Sequence, residues 1–180
     1  MDLHAPGCTE HYLVHILRKS EDYIPELSRI AEVNGEIIGA IMYSKAYVVD
    51  CNKKTEVLTF GPLCVEPSYQ NKGIGGILLE KTMELARKAG YKGIIIFGEP
   101  GYYPKHGFKT CDNYHITTKD SKNFDAFMGI ELVKNGLDGV IGKFYESEVF
   151  EELFPEKVEE FDKKFPYMEK LKLPGQWDID

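Results

Sequence analysis

The chain has 180 residues, 43% of them hydrophobic and 28% charged, and a formal net charge of −7. That length holds one domain with a real core, alone or with an extension, and the composition is that of a globular protein. No apolar run reaches the length of a membrane span and no basic stripe is present, so neither a membrane nor a nucleic acid is an expected partner.

The amino terminus, MDLHAPGCTEHY, lacks the basic start and apolar centre of a signal peptide, so a cytoplasmic location is expected. Cys8, Cys51, Cys64 and Cys111 are scattered without a CxxC pair and read as ordinary thiols. Thr9 to Lys19 predicts a helix that Thr9 can cap, with Tyr12, Leu13, Ile16 and Leu17 on one face. His11 and His15 stand four apart on it, but no H-E-x-x-H pattern or third ligand accompanies them, so no metal site is expected. Asn34-Gly35 then marks a hairpin between two β-rich runs. Glu56 to Glu66 predicts a strand interrupted by Gly61-Pro62; a proline there marks a bulge or splay, because it cannot donate to a ladder. A helix is expected from Gly73 to Ala89, stopped by Gly90. The apolar run in KGIIIFGEP predicts a strand covered on both faces, GYYPKHGF a turn, and NYHITTKD and AFMGIELV two more strands. From Asn135 the chain is mixed and ends in a charged helix around Glu156 to Lys164. The acidic run from Glu146 to Asp162 reads as a solvated surface.

The strand–helix–strand stretch from Glu56 to Gly98 predicts a right-handed βαβ crossover with two parallel neighbours. The fold class is therefore α/β of the α+β type: a mixed, mainly antiparallel sheet with one parallel pair and helices on both faces.

Gly73, Gly75 and Gly76 sit in the first turn of one of the best helices, where each costs about 1 kcal/mol relative to alanine. A helix start presents unpartnered N–H groups and partial positive charge, which together form an anion site. Glycines let phosphate oxygens approach the backbone, and Lys72 adds a charge. A tight strand-to-helix turn is the plainer account, and three glycines beside a lysine weigh against it. Neither GxxxxGK[ST] nor GxGxxG is present.

The pattern resembles the GNAT superfamily of acetyl-CoA-dependent N-acetyltransferases. The signature [Q/R]-x-x-G-x-[G/A] is met by Gln70, Gly73 and Gly75, preceded by Val65-Glu66-Pro67 and Tyr69. A Tyr-x-x-x-Gly-Phe element follows at Tyr103, Gly107 and Phe108. The match is good from Leu27 to about Thr118. The resemblance implies direct transfer of acetyl from acetyl-CoA to an amine, without an acyl-enzyme. It implies that Gln70, Asn71, Lys72, Gly73, Ile74, Gly75 and Gly76 hold the cofactor's diphosphate. Leu63, Cys64 and Val65 are implied to pair with the pantetheine arm, one of their amides reaching the thioester carbonyl. Tyr103, by the family spacing to Gly107, is implied to protonate the leaving thiolate. Tyr102 is counted with the cofactor contacts and competes for that role. Glu99, at the end of the apolar strand, is the expected base, acting through water; a solvated loop glutamate is the alternative. Cys64 has no His-Asp pattern and reads as a strand cysteine rather than a nucleophile.

The family pattern begins with a strand and a helix before the helix placed at Thr9. Residues 1–135 are expected to form the acetyltransferase domain without them, and residues 136–180 an extension packed on it. That extension or a second subunit, as in a homodimer, would cover the flank with Phe150, Leu153, Phe154, Phe161, Phe165 and Trp177. A non-catalytic CoA-binding sensor or scaffold is the alternative function, and a nucleotide-phosphate binder a third.

Overall fold

The structure is a computed structural model that describes residues 9–51, 53–167 and 169; Cys8 and Trp177 lie outside them. In chain order the elements are α1 (Glu10–Leu17), β1 (Arg29–Val33), β2 (Glu36–Asp50), β3 (Lys53–Val65), α2 (Ile74–Lys88), β4 (Gly93–Phe97), β5 (Lys109–Thr110), β6 (Ile116–Thr118), β7 (Phe127–Glu131), β8 (Gly142–Tyr145) and α3 (Pro155–Asp162). Two compact units emerge: Glu21–Ser147 is one, and the terminal stretches Met1–Ser20 and Glu148–Asp180 form the other. No helix among the described residues is long and apolar enough to cross a membrane.

The larger unit is built on one mixed sheet of order β5-β7-β4-β3-β2-β8-β6, with β1 also paired to β2. Asn34 and Gly35, at φ 52° and 86°, close the β1–β2 hairpin as the Asn-Gly pair predicts. β3 and β4 are parallel around α2, as expected of the crossover. A second parallel pair, β6 with β8, adds to the one expected. β8 also pairs with Tyr47–Val49 of β2, so the sheet runs past residue 135, where the domain was expected to end. Within NYHITTKD only Ile116–Thr118 is strand, because His115 takes a left-handed conformation (φ 58°) after the 3₁₀ turn Cys111–Tyr114.

Alternation along the strands divides the core into two. Ile41 and Tyr43 of β2, Leu58 and Phe60 of β3, and Ile94 and Ile96 of β4 face α2, which buries Leu78, Leu79, Met83 and Ala86 against them. Tyr43 shares a 3.0 Å hydrogen bond with Thr82 inside this layer. On the other face, Ala46, Val48, Val57, Ile95, Phe127 and Phe144 are covered in this unit by Ile116 of β6 and by Cys111, Leu137 and Val140 from outside the strands.

In the terminal unit, α1 and α3 meet through the ring of Phe161, whose centroid lies 4.5 Å from that of His15 and 5.4 Å from that of Tyr12. His11 Nε2 stands 2.5 Å from Asp162 Oδ1, and Lys19 Nζ donates to His15 Nε2 at 3.0 Å. The two histidines therefore serve separate contacts. Thr9 occupies the N-cap position without a side-chain cap hydrogen bond.

Leu137 reaches its layer by lying on the bare backbone of β4. A Cβ on Gly93 would come within 2.3 Å of Leu137 Cδ2. Gly93→Ala should therefore destabilise the protein by about 1–3 kcal/mol, as overpacking does. Adding Leu137→Ala should recover part of that loss in urea denaturation, and strictly additive losses would show that the two positions do not share the space.

Candidate active site

The site begins where β3 leaves β4. The two strands pair at one position, Leu58 with Ile94. Beyond it, between the pairs Ile41–Leu63 and Tyr43–Phe60, β3 carries one residue more than β2. This is the bulge expected at Gly61-Pro62, where proline has no N–H to offer a neighbour. β4 stays with β7 as far as Phe97, and Gly98 N–H continues that pairing to Ala126 O at 2.8 Å.

The end of β3 thus keeps β2 on one edge and has an open edge on the other. Glu66 N–H donates to Ile38 O of β2 at 2.9 Å. By the alternation of an antiparallel ladder, the backbone groups of Cys64 then turn toward Ala40 of β2, and those of Leu63 and Val65 turn toward the open edge. The three residues expected to line a cofactor arm therefore divide: Leu63 and Val65 present their amides, while that of Cys64 is committed to the sheet.

From Val65 the chain enters the loop before α2. Gln70 Nε2 donates to Val65 O at 3.1 Å, and Ser68 N–H to Glu66 Oε2 at 2.9 Å. Asn71 and Gly73 both take positive φ, 59° and 82°. Ile77 N–H is bonded back to Gly73 O at 3.0 Å, so the N–H groups before it have no partner within the helix and point out of its end. Lys72 is exposed there, its Nζ 5.0 Å from the centre of the Tyr69 ring.

The three glycines have different reasons. At Gly73 a Cβ would meet nothing within 4 Å; the positive φ selects glycine. At Gly75 a Cβ would lie 3.1 Å from the Tyr102 hydroxyl, and at Gly76 3.1 Å from His106 Cε1. These two clear space for side chains of the turn after β4, a contact that the sequence reading assigned to a ligand. Ile74 is half-buried, its Cγ2 3.5 Å from where a Gly39 Cβ would stand.

That turn, Tyr103–His106, is hung on Glu99, whose carbonyl accepts from Tyr102 N–H (2.9 Å) and Tyr103 N–H (3.2 Å). Gly101 N–H donates to the exposed Glu99 carboxylate at 3.2 Å. The edge of the Tyr103 ring rests against Gly98, where a Cβ would be 2.4 Å from Cε2, and the ring packs against Phe60 and Phe108 at 5.8 and 5.5 Å between centroids. Tyr102 points the other way, to the start of α2, with Lys105 Nζ 4.3 Å above its ring. The His106 ring is tilted against that of Tyr102 (4.9 Å, 47°), and its Nδ1 lies 3.8 Å from Glu80 Oε1.

The structure thus brings Tyr102, Gly75 and Gly76 together at the helix start, and Tyr103 to the end of β4. Gly98 and Glu99 follow the end of β4, beyond its pairing with β3 at Leu58–Ile94. Lys105, whose Nζ lies over the Tyr102 ring, was missed as a neighbour of the loop. Burial, with a smaller push from Tyr102, holds the Tyr103 phenol well above the usual range. Burial and then Glu80 raise Tyr102 as well. The arrangement offers amide donors for an anion, an open strand edge for an extended amide-bearing chain, and a phenol that keeps its proton.

Residues 1–108 match the model of the acetyltransferase (GNAT) family. The chain is 33% identical over 99 residues to the uncharacterized N-acetyltransferase YjhQ of Escherichia coli, covering 55% of this chain and 55% of that protein. It thus spans about half the length of that relative. It is 26% identical over 134 residues to the uncharacterized N-acetyltransferase YhbS of E. coli, covering 74% of this chain and 78% of the relative. The crystal structure of YhbS in complex with CoA shares the fold with a TM-score of 0.72 at 24% identity, over 79% of this chain and 78% of that one. A GNAT family acetyltransferase from Brucella melitensis in complex with acetyl-CoA aligns with a TM-score of 0.61 at 26% identity, with the same coverage of 79% and 78%.

The raised phenols fix a pH dependence. Tyr43, pushed up chiefly by burial, and Tyr103 hold their protons in the folded state after an unfolded chain has released them. Their contribution to stability is complete below about pH 10 and falls as pH rises beyond it. Urea midpoints measured from about pH 9 to 11 should drop, and the drop should be shallower in Tyr103→Phe. Parallel curves for the two proteins would place the Tyr103 hydroxyl in water.

Proposed function

The chain belongs to the acetyltransferase (GNAT) family, and on that premise we propose that it is an N-acetyltransferase that moves acetyl from acetyl-CoA directly to a primary amine of a small molecule or peptide. The observation that carries this reading is the open edge of β3 running into the amide-lined start of α2. The complexes of YhbS with CoA and of the Brucella enzyme with acetyl-CoA support the choice of donor.

The residues present fit such a donor. Its diphosphate suits the N–H groups from Asn71 to Gly76, with Lys72 adding charge and the Gly73 side open. Because Tyr102 and His106 lie on Gly75 and Gly76, the anion is held toward Gly73 and the preceding loop, and Tyr102 forms a wall of the site. Gln70 holds the loop through Val65 O rather than through the ligand. The peptide-like arm suits the open backbone of Leu63 and Val65, whose N–H groups are the donors available to a developing oxyanion; one such donor contributes a few kcal/mol.

In the transfer, the amine nitrogen bonds to the acetyl carbon and the carbon–sulfur bond breaks. The amine's proton leaves through water, with Glu99 at the mouth of the opening as its acceptor. The departing thiolate takes the proton of Tyr103, whose burial keeps it in the donor form. Tyr102 serves the cofactor side.

Two measurements check this assignment. Gly73→Val and Gly75→Val, the first opposing the backbone conformation and the second displacing Tyr102, should each weaken acetyl-CoA binding at least about tenfold by calorimetry; unchanged affinity would remove the anion site. Tyr103→Phe should leave that affinity nearly unchanged and lower kcat, read as acceptor-dependent thiol release, by roughly 10²–10⁴. Tyr102→Phe is its matched control. A crippled Tyr102→Phe beside an active Tyr103→Phe would transfer the acid's role to Tyr102, and binding without thiol release in the wild type would make the protein a CoA-binding module.

A further inference from the structure

β4 ends on two faces. On the α2 face its end is filled by Tyr103 lying on Gly98. On the other face stands Phe97, stacked on Phe127 (5.0 Å, 28°) and tilted against Phe144 (6.0 Å, 60°), both of the second core layer. Phe97 is nevertheless 47% exposed, and so is Phe124, whose ring lies nearly parallel to it (6.0 Å, 20°). Phe127 N–H donates to Phe124 O at 2.9 Å, which ties the loop that carries Phe124 to the start of β7.

The position of this ring pair matters more than its exposure. Phe97 lies three residues along β4 from the Leu58–Ile94 pair, on the stretch that keeps β7 but no longer pairs with β3. A donor held by the start of α2 and the end of β3 occupies the α2 side, where Tyr103 closes the end of β4. An amine that attacks at the opening therefore comes from the opposite side, past Phe97 and Phe124. The exposed parts of the two rings offer an apolar surface. One further ring covers it in a single piece at the 4.5–7 Å spacing aromatic pairs prefer, whereas a flexible chain gives up more rotamer freedom to do so. An ammonium arriving there also gains from the ring faces and from the negative field of a −7 chain.

We infer that Phe97 and Phe124 form the acceptor subsite, and that it takes a primary amine carried on an aromatic group. The inference rests on the acetyltransferase reading and names its substrate class. It is tested by calorimetry on the full chain saturated with CoA, titrated with 2-phenylethylamine and, separately, with n-hexylamine. The aromatic amine should bind at least about tenfold more tightly. Phe124→Ser, a change on an exposed loop position, should bring the two to within about twofold while leaving acetyl-CoA affinity as in the wild type. Equal affinities in the wild type, binding of neither amine, or a preference that survives in Phe124→Ser overturns the subsite. Failure of the wild type to bind acetyl-CoA is a separate result, which overturns the underlying reading and the subsite with it.

Discussion

The site depends on one break in hydrogen bonding. β3 and β4 begin as parallel neighbours and share a single pair, Leu58 with Ile94. The extra residue in β3 at Gly61-Pro62 then carries the strand away with β2. Backbone N–H and C=O groups rarely remain unpartnered inside a folded protein, so an open stretch of strand in the middle of a sheet is a place made for something else to pair. The rest of the sheet tolerates the break because each strand keeps its other neighbour: β4 holds β7 through Phe97, and β3 holds β2 to Val65.

The same opening explains the neighbouring glycines and rings. β4 can end beside it only if the α2 face is closed, and Tyr103 closes that face by lying on Gly98 with Phe60 and Phe108 around it. The turn that delivers Tyr103 delivers Tyr102 and His106 to the helix start, where Gly75 and Gly76 leave them room. Tyr102 and Tyr103 are thus both placed by one short segment hung on the carbonyl of Glu99. Burial, with a smaller push from Tyr102, raises the Tyr103 phenol, so it keeps its proton. Phe97, one residue before Gly98, sends its ring to the opposite face, so adjacent residues serve the two sides of the opening.

Much of this was legible because it is local. Asn34-Gly35, Gly61-Pro62, Gly73 and Gly90 each mark a turn, bulge or helix end through their own backbone preferences, and they bracket the hairpin and the βαβ unit. The family resemblance added the roles expected of Tyr103 and the signature loop. What could not be read depends on partners far along the chain. β8 is four residues whose pairing is with Tyr47–Val49 and β6, and β5 is two residues held by β7. Nothing in GKFY or KT announces a strand without those partners. β8, beyond residue 135, was not expected as a strand for the same reason. Gly75 and Gly76 looked like clearance for a phosphate because the side chains that fill their space come from a turn beyond the next strand. Cys64 was grouped with Leu63 and Val65 by position; only the ladder to Ala40 separates them.

The central claim is that Leu63 and Val65 present unpaired amides at the opening and that acetyl-CoA pairs with them. Single-residue amide hydrogen exchange, followed by NMR with and without acetyl-CoA, tests it most directly. The free protein should exchange Leu63 and Val65 quickly and Cys64 slowly, and acetyl-CoA should protect Leu63, Val65 and the first-turn amides of α2 while leaving Cys64 as it was. Slow exchange at Leu63 and Val65 in the free protein, or exchange there that acetyl-CoA does not change, would contradict the account.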